Sequence, residues 1–255
     1  MRIWPIFKKE IRLYFTSPVA YGVFTFFLLI SGYFFASIFA FFNLVSMQSA
    51  MNPALARDLN VTEGIMRPLF SNIGVVMLFL MPILTMRLFA EEKKTGTIEL
   101  LLTYPVRDGE VLLGKYAAAG TLYLMMLAAT ALYPGILAYF ARIEWGPLLT
   151  GYLGLVLMGA AFLAVGVLAS SLTENQIVAA IATFGALLIF WVIGWSADFA
   201  GPVWGKILAH LSILEHFDSF AKGVIDTKDV IYYLNFTLLS LFLTLRSLES
   251  KRWRG

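Results

Sequence analysis

Charged residues are absent over long stretches of this chain, and the gaps set its architecture. None occurs from Leu13 to Ala56, Pro68 to Met86, Tyr116 to Ala141, Trp145 to Thr173, Asn175 to Ala197 or Val230 to Leu245. A helix needs about 20 mainly apolar residues, each rising about 1.5 Å, to cross a hydrocarbon layer about 30 Å thick. Five gaps meet that length. The sixth holds 16 residues and would span only about 24 Å, but Arg246 at its end can snorkel to the headgroups and complete it. The pattern predicts helices near residues 19–42, 69–89, 113–139, 148–170, 176–196 and 230–247. The first gap is read as one span, because Asn43 to Ala56 (NLVSMQSAMNPALA) contains Asn, Ser, Gln and Pro53.

Composition agrees with a bilayer as solvent. Hydrophobic residues make up 60% of the 255 and charged residues 14%, against about 45–50% and about 25% in soluble proteins. Glycines at 151, 154, 159, 166 and 185 allow close helix packing. There is no Cys, hence no disulfide and no Cys-based metal site, and a formal charge of +3 is too slight to suggest nucleic acid as a partner. A cleavable signal peptide is not expected, since the first apolar run is too long for one and follows a charged stretch.

Six spans put both termini on one face. That face carries 13 Lys and Arg, in segments 1–18, 87–115 and the tail, while the other carries Arg57, Arg67, Arg142, Lys206, Lys222 and Lys228. The positive-inside rule makes the first face cytoplasmic.

Residues 2–16 are amphipathic. Ile3, Phe7, Ile11 and Phe15 recur every four residues while Lys8, Lys9 and Arg12 lie elsewhere, as in an interfacial helix that also packs on neighbouring spans before Pro18 turns the chain. In the 87–115 loop, Gly96 can end the helix descending from the second span. Thr97 can cap a short new helix, with Glu99 in its first turn, and Pro105 ends it by forcing Tyr104 extended. Ile98, Leu101 and Leu102 share one face of that helix. A helix so short is unstable alone in water, so a partner protein is expected to cover it.

Catalytic chemistry is sparse. Gly109–Lys115 matches G-x-x-x-x-G-K, but Tyr116 stands where a Ser or Thr should hold Mg²⁺ and no strand precedes it; Lys115 is expected at the headgroups. No zincin, nucleophile-elbow or redox motif occurs. The span centres hold no ionisable residue, which disfavours a self-contained ion pump. Outside, Asn60-Val61-Thr62 fits a glycosylation triplet that arises often by chance. Val203, Ile207, His210, Leu211 and Leu214 have the spacing of a helix on the outer surface. His210, Glu215, His216 and Asp218 raise a metal site, but histidines six apart do not share a face of one regular helix, so hydrogen-bonded surface residues are expected instead.

The run Glu92-Lys-Lys-Thr-Gly-Thr-Ile-Glu-Leu-Leu-Leu-Thr-Tyr-Pro-Val106, continuing to Leu113-Gly-Lys-Tyr116, resembles the cytoplasmic loop of type-2 ABC transporter permeases. Phe7 to Pro18 is similar to their entry segment. His216 to Asp226, then Tyr232-Tyr233 to Arg254, looks like the gliding-motility and copper-enzyme-maturation branch. The resemblance implies an all-α membrane protein with six transmembrane helices, an N-terminal elbow helix (residues 1–18) and a short cytoplasmic coupling helix. The permease domain is then 19–247, with a coupling loop at 90–112 and an outer segment at 197–229, followed by a basic tail at 248–255. It implies an ATPase-coupling set of Glu91, Glu92, Thr95, Gly96, Thr97, Ile98, Glu99, Leu100, Leu101 and Leu102. Lys93 and Lys94 stand where the family often has Arg, a change that weakens bidentate pairing.

The partners so implied are two copies of an ABC ATPase, which bring the ATP and Mg, and a second permease subunit, the same chain or a relative; outer-face proteins are further candidates. No cofactor, metal or catalytic residue is expected in this chain. The location is the bacterial inner membrane, both termini cytoplasmic, and the function ATP-driven export or force transmission. A non-transporting membrane anchor of a larger complex is the alternative.

Overall fold

A computed structural model describes residues 3–51, 60–97 and 106–252. The elements are α1 (Ile3–Thr16), α2 (Pro18–Met51), a π-helical turn (Thr62–Met66) running into α3 (Arg67–Thr85), and α4 (Arg87–Lys94). There follow α5 (Asp108–Ala129), α6 (Leu132–Phe140), α7 (Trp145–Leu172), α8 (Gln176–Val192), a 3₁₀ segment (Ile193–Phe199), α9 (Gly201–Leu211), α10 (Ile213–Ala221) and α11 (Thr227–Arg252). Among the described residues, six helical stretches are long and apolar enough to cross a membrane: Pro18–Ser49, Thr62–Lys94, Asp108–Phe140, Trp145–Leu172, Gln176–Ala197 and Thr227–Ser250.

Each expected span therefore has its helix, but the helices outrun the apolar residues. The first continues through Asn43 to Met51, where the polar composition suggested an end near 42. Polar residues do not stop a helix when their side chains bond within it, as the Ser49 hydroxyl does to the Ser46 carbonyl at 2.7 Å. The third span is broken at Thr130–Ala131. Pro134 is the cause, since its ring displaces the carbonyl four residues back, at Thr130. The Thr130 hydroxyl closes the gap by donating to the Leu127 carbonyl at 2.6 Å.

The second span and α7 form the core, their apolar windows 72% and 67% buried, whereas the first and last spans are 22% and 17% buried. Glycines of α7 let α3, α5 and α10 approach it closely. A Cβ at Gly151 would strike Phe70, at Gly154 Phe217 and Phe220, at Gly159 Tyr123 and at Gly166 Thr85. Gly185 corrects the expectation, because a Cβ there meets nothing within 4 Å.

The bundle has two polar ends. At the base lie α1, α4, the start of α5 and the ends of α7 and α11: the Lys93 ammonium and the Ser247 hydroxyl both donate to the Ser171 carbonyl. The far end is held by Asn60 Nδ2 donating to Glu144 Oε1 at 3.0 Å and by the Arg67–Asp218 ion pair at 2.6 Å. Asn60 also accepts from the Thr62 amide at 2.9 Å, so the triplet residue starts the second span. The outer segment is two helices rather than one. Ser212 separates them and caps α10, accepting from the Glu215 amide.

Candidate functional site

The base contains a buried ion cluster built from three elements. Lys115, in the second turn of α5, is 1% exposed. Its Nζ lies 2.8 Å from Glu10 Oε1 of α1 and 2.9 Å from Glu92 Oε1 of α4. Lys9 Nζ meets the same Glu92 oxygen at 2.9 Å and Glu10 Oε1 at 3.7 Å. Glu92 Oε2 is buried without a hydrogen-bond partner. The Phe89 ring stands 5.3 Å from the Lys115 ammonium and adds a cation–π contact. Two lysines and two carboxylates balance: Lys115, Glu10 and Glu92 are withdrawn from water, and Lys9, its side chain 50% exposed, closes the cluster at the surface. Lys9, outside the spans, loses basicity to burial, but Glu92 and Glu10 outweigh that and hold its pKa above the usual lysine value.

Two sequence expectations change here. Lys115 does not reach the headgroups. The G-x-x-x-x-G-K stretch is regular helix, and Gly114 is pressed against Ile6 and the Ile3 carbonyl, so no loop is left to cradle a phosphate. The helix α1 packs through a row that lies beside the expected one. Of the expected stripe, Ile3, Phe7 and Ile11 are half-buried and Phe15 is 41% exposed. The packed stripe is Ile3, Ile6, Glu10 and Tyr14. Tyr14 donates to the Leu84 carbonyl at 2.8 Å, and burial pushes its pKa far up, so it stays a donor. Apolar residues cover somewhat more than half of α1, so the spacing of one row did not fix which part of that broad face packs. The need of Lys115 for a counter-charge decides it. Glu10 was missed; the only signal was an acidic residue amid three basic ones.

Around the cluster the expected coupling residues gather in part. The backbone shifts at Met86, between α3 and α4, where the Ser170 hydroxyl accepts from the amides of Phe89 and Ala90 and donates to the Met86 carbonyl. Arg87 holds Glu91 at 2.8 Å and reaches the Ser17 hydroxyl at 3.0 Å, tying α4 to the α1–α2 turn. Gly96 has φ 71°, the left-handed geometry that ends α4. The Thr97 hydroxyl bonds back to the Glu92 carbonyl at 3.3 Å and contacts Thr95 Oγ1 at 2.9 Å, so it closes α4. Ile98, Glu99, Leu100, Leu101 and Leu102 lie outside the described residues. A cavity of about 290 Å³ opens beside the cluster, lined by Lys9, Tyr14, Arg87, Glu91, Glu92 and Thr97 among others.

The histidines at the far end come together, contrary to the spacing argument, because the break at Ser212 folds α10 back. Their ring centroids are 5.4 Å apart. Both nitrogens of His216 are engaged, Nδ1 with Asp229 Oδ1 at 2.6 Å and Nε2 with the His210 carbonyl at 3.0 Å, and its ring stacks on Tyr232 at 3.9 Å. The ring is thus held at both nitrogens and on its face.

The sequence model of the ABC-2 family transporter proteins matches residues 4–248. The chain belongs to that family. It is a multi-pass membrane protein and a permease of the ABC transporter kind, and the family implies association with an ABC ATPase. A comparison with curated proteins gave no match.

Proposed function

We propose that this chain is the membrane subunit that converts ATP hydrolysis by a separate ATPase into movement of a six-helix bundle. The base is the cytoplasmic end, a reading supported by the 13 Lys and Arg that the sequence assigns to its side of the spans, against six on the other. The membrane is the bacterial inner membrane. Residues 97–104 are the segment the ATPase grips, with two ATPase copies serving two permease subunits, and the ATPase binds the ATP and Mg. The units are an elbow helix, a permease domain and a basic tail, as the resemblance implies. The similarity of 216–254 to the gliding-motility and copper-enzyme-maturation branch supports force transmission to outer proteins as well as export.

The observation that carries the reading is the ion cluster in which buried Lys115, Glu10 and Glu92 meet half-exposed Lys9. Glu92 lies three residues before Thr95, so a pull on the loop acts on α4 at once. The cluster passes that pull to α1 and α5 without slack, because separating buried opposite charges costs several kcal/mol.

The test is co-purification with an ABC ATPase from the same cells and stimulation of that ATPase in vesicles. Glu99→Arg with Leu101→Asp should abolish both while the permease still inserts and folds. Binding that survives the pair of changes refutes the gripping role. Binding without any stimulation by the unmodified permease favours the non-transporting anchor.

A further inference from the structure

We propose that one proton, shared between His216 and Asp229, latches the corner where α9 meets α10 onto the start of α11, so that the outer segment loosens as the pH on its own side of the membrane rises. Four contacts converge on that corner. Tyr232 and Tyr233 of α11 donate to the Leu211 and Ile213 carbonyls, each at 2.8 Å. His216 of α10 reaches the His210 carbonyl at 3.0 Å, and Asp229 of α11 holds the other side of that ring at 2.6 Å. None of the residues of α9 is buried and it packs mainly on the adjoining 3₁₀ segment, so the corner is what ties it to the bundle.

The proton count follows from the acceptors. A carbonyl oxygen only accepts, so the line from Nε2 to His210 needs a proton on the nitrogen. The line from Nδ1 to Asp229 Oδ1 joins a ring nitrogen to a carboxylate oxygen and needs a second proton, whichever end carries it. The closed corner therefore holds one proton more than a neutral imidazole beside a carboxylate, and this does not depend on the tautomer. Nothing else compensates Asp229. It is 1% exposed and His216 4%, and Asp229 Oδ2 is buried without a hydrogen-bond partner. Lys228, the adjoining cation, is engaged by Asp226 at 3.0 Å. The other titratable neighbours are the His210 ring at 5.4 Å, Tyr232 stacked on His216, Tyr233 beside Tyr232, and exposed Asp226. Glu215 adjoins His216 on α10 and is exposed, as is Lys206 on α9. The helices α7 and α8, which also pack on α10, carry no charged residue, and Arg67 at the start of α3 is paired with Asp218.

Removing the shared proton sets a ring lone pair against a carboxylate oxygen at hydrogen-bond distance, both withdrawn from water. The pair must separate, and the corner goes with it. A solvated imidazole gives up its proton near about pH 6.5. Below that, open and closed corners hold the same number of protons and pH has no effect. Above it the open corner holds one fewer, so opening grows about tenfold per pH unit while the closed corner keeps its proton. In the orientation proposed above, the corner faces the outside, where the surroundings set the pH. The latch itself does not depend on the ATPase reading.

The test is amide hydrogen exchange, read by mass spectrometry on the full chain in lipid nanodiscs from about pH 5.5 to about pH 8.5 and corrected for the intrinsic pH dependence of exchange. In the parent, protection over residues 209–216 should be level below about pH 6.5 and fall about tenfold per pH unit above it, while the amides of α7 stay level. Asp229→Asn removes the need for the shared proton, since its amide donates to a neutral Nδ1, and should be level throughout. His210→Gln keeps the carbonyl and should fall as the parent does. A level parent, an Asp229→Asn variant that follows the parent's slope, or an equal fall in α7 overturns the proposal. So does a His210→Gln variant without the slope, which puts the proton on the other ring. If Asp229→Asn does not fold, the parent and His210→Gln decide alone.

Discussion

Lys115→Met is the most direct perturbation of the base. The side chain is 1% exposed and neutralises Glu10 and Glu92, whose side chains are 7% and 12% exposed. Removing one member of a buried ion pair costs about 3–5 kcal/mol, because the partners stay charged without water or counter-ion. Here Lys9 remains 2.9 Å from Glu92 and 3.7 Å from Glu10. The expected loss is therefore at the lower end, about 3 kcal/mol. Most of it comes from Glu10, whose remaining cation is the farther one. Lys115→Met combined with Glu10→Leu removes the stranded charge and should recover at least half of the loss, since an apolar replacement of a whole buried pair is often near neutral. Equilibrium unfolding in mixed micelles measures both. A loss below about 1 kcal/mol for the single variant, the size of an exposed pair, or strictly additive effects of the two changes, would falsify the claim that Lys115 and Glu10 form a coupled pair withdrawn from water.

Further outcomes follow from the packing. Gly159→Leu and Gly166→Leu drive atoms into Tyr123 and Thr85 and should lower stability by about 1–3 kcal/mol or more. Gly185→Ala, with open space around it, should be neutral or raise stability by about 0.5–1 kcal/mol; thermal unfolding of the three separates these cases. Tyr123→Phe deletes a buried hydroxyl that donates to the Leu155 carbonyl at 2.6 Å and should cost about 1 kcal/mol in the same assay. At the far end burial raises the Asp218 pKa, but Lys222 and Arg67 outweigh it and hold the carboxyl below its usual value. Its contribution is then full above the unfolded value of 3.8 and lost as pH falls through the lower folded value. The stability gap between the parent and Asp218→Asn should stay constant from neutral pH to about 4 and close only below it; a gap that closes near pH 6 contradicts this assignment.

The charge gaps alone specified six membrane helices, because hydrocarbon excludes charge and only helices satisfy their own backbone there. The left-handed end of α4 was equally legible, since Gly96 is the residue that adopts a positive φ without strain. Local chemistry of that kind needs no knowledge of neighbours. The face of α1, the burial of Lys115 and the approach of His210 to His216 needed it. Lys115 looks like an interfacial lysine until α1 and α4 bring Glu10 and Glu92 within 3 Å of it, and the two histidines look separated until Ser212 breaks the helix between them. Hydrophobicity is a property each residue carries along the chain, so it can be read in order. The pairing of charges depends on distances between residues that lie on different helices, up to 105 positions apart, and only the folded bundle sets those.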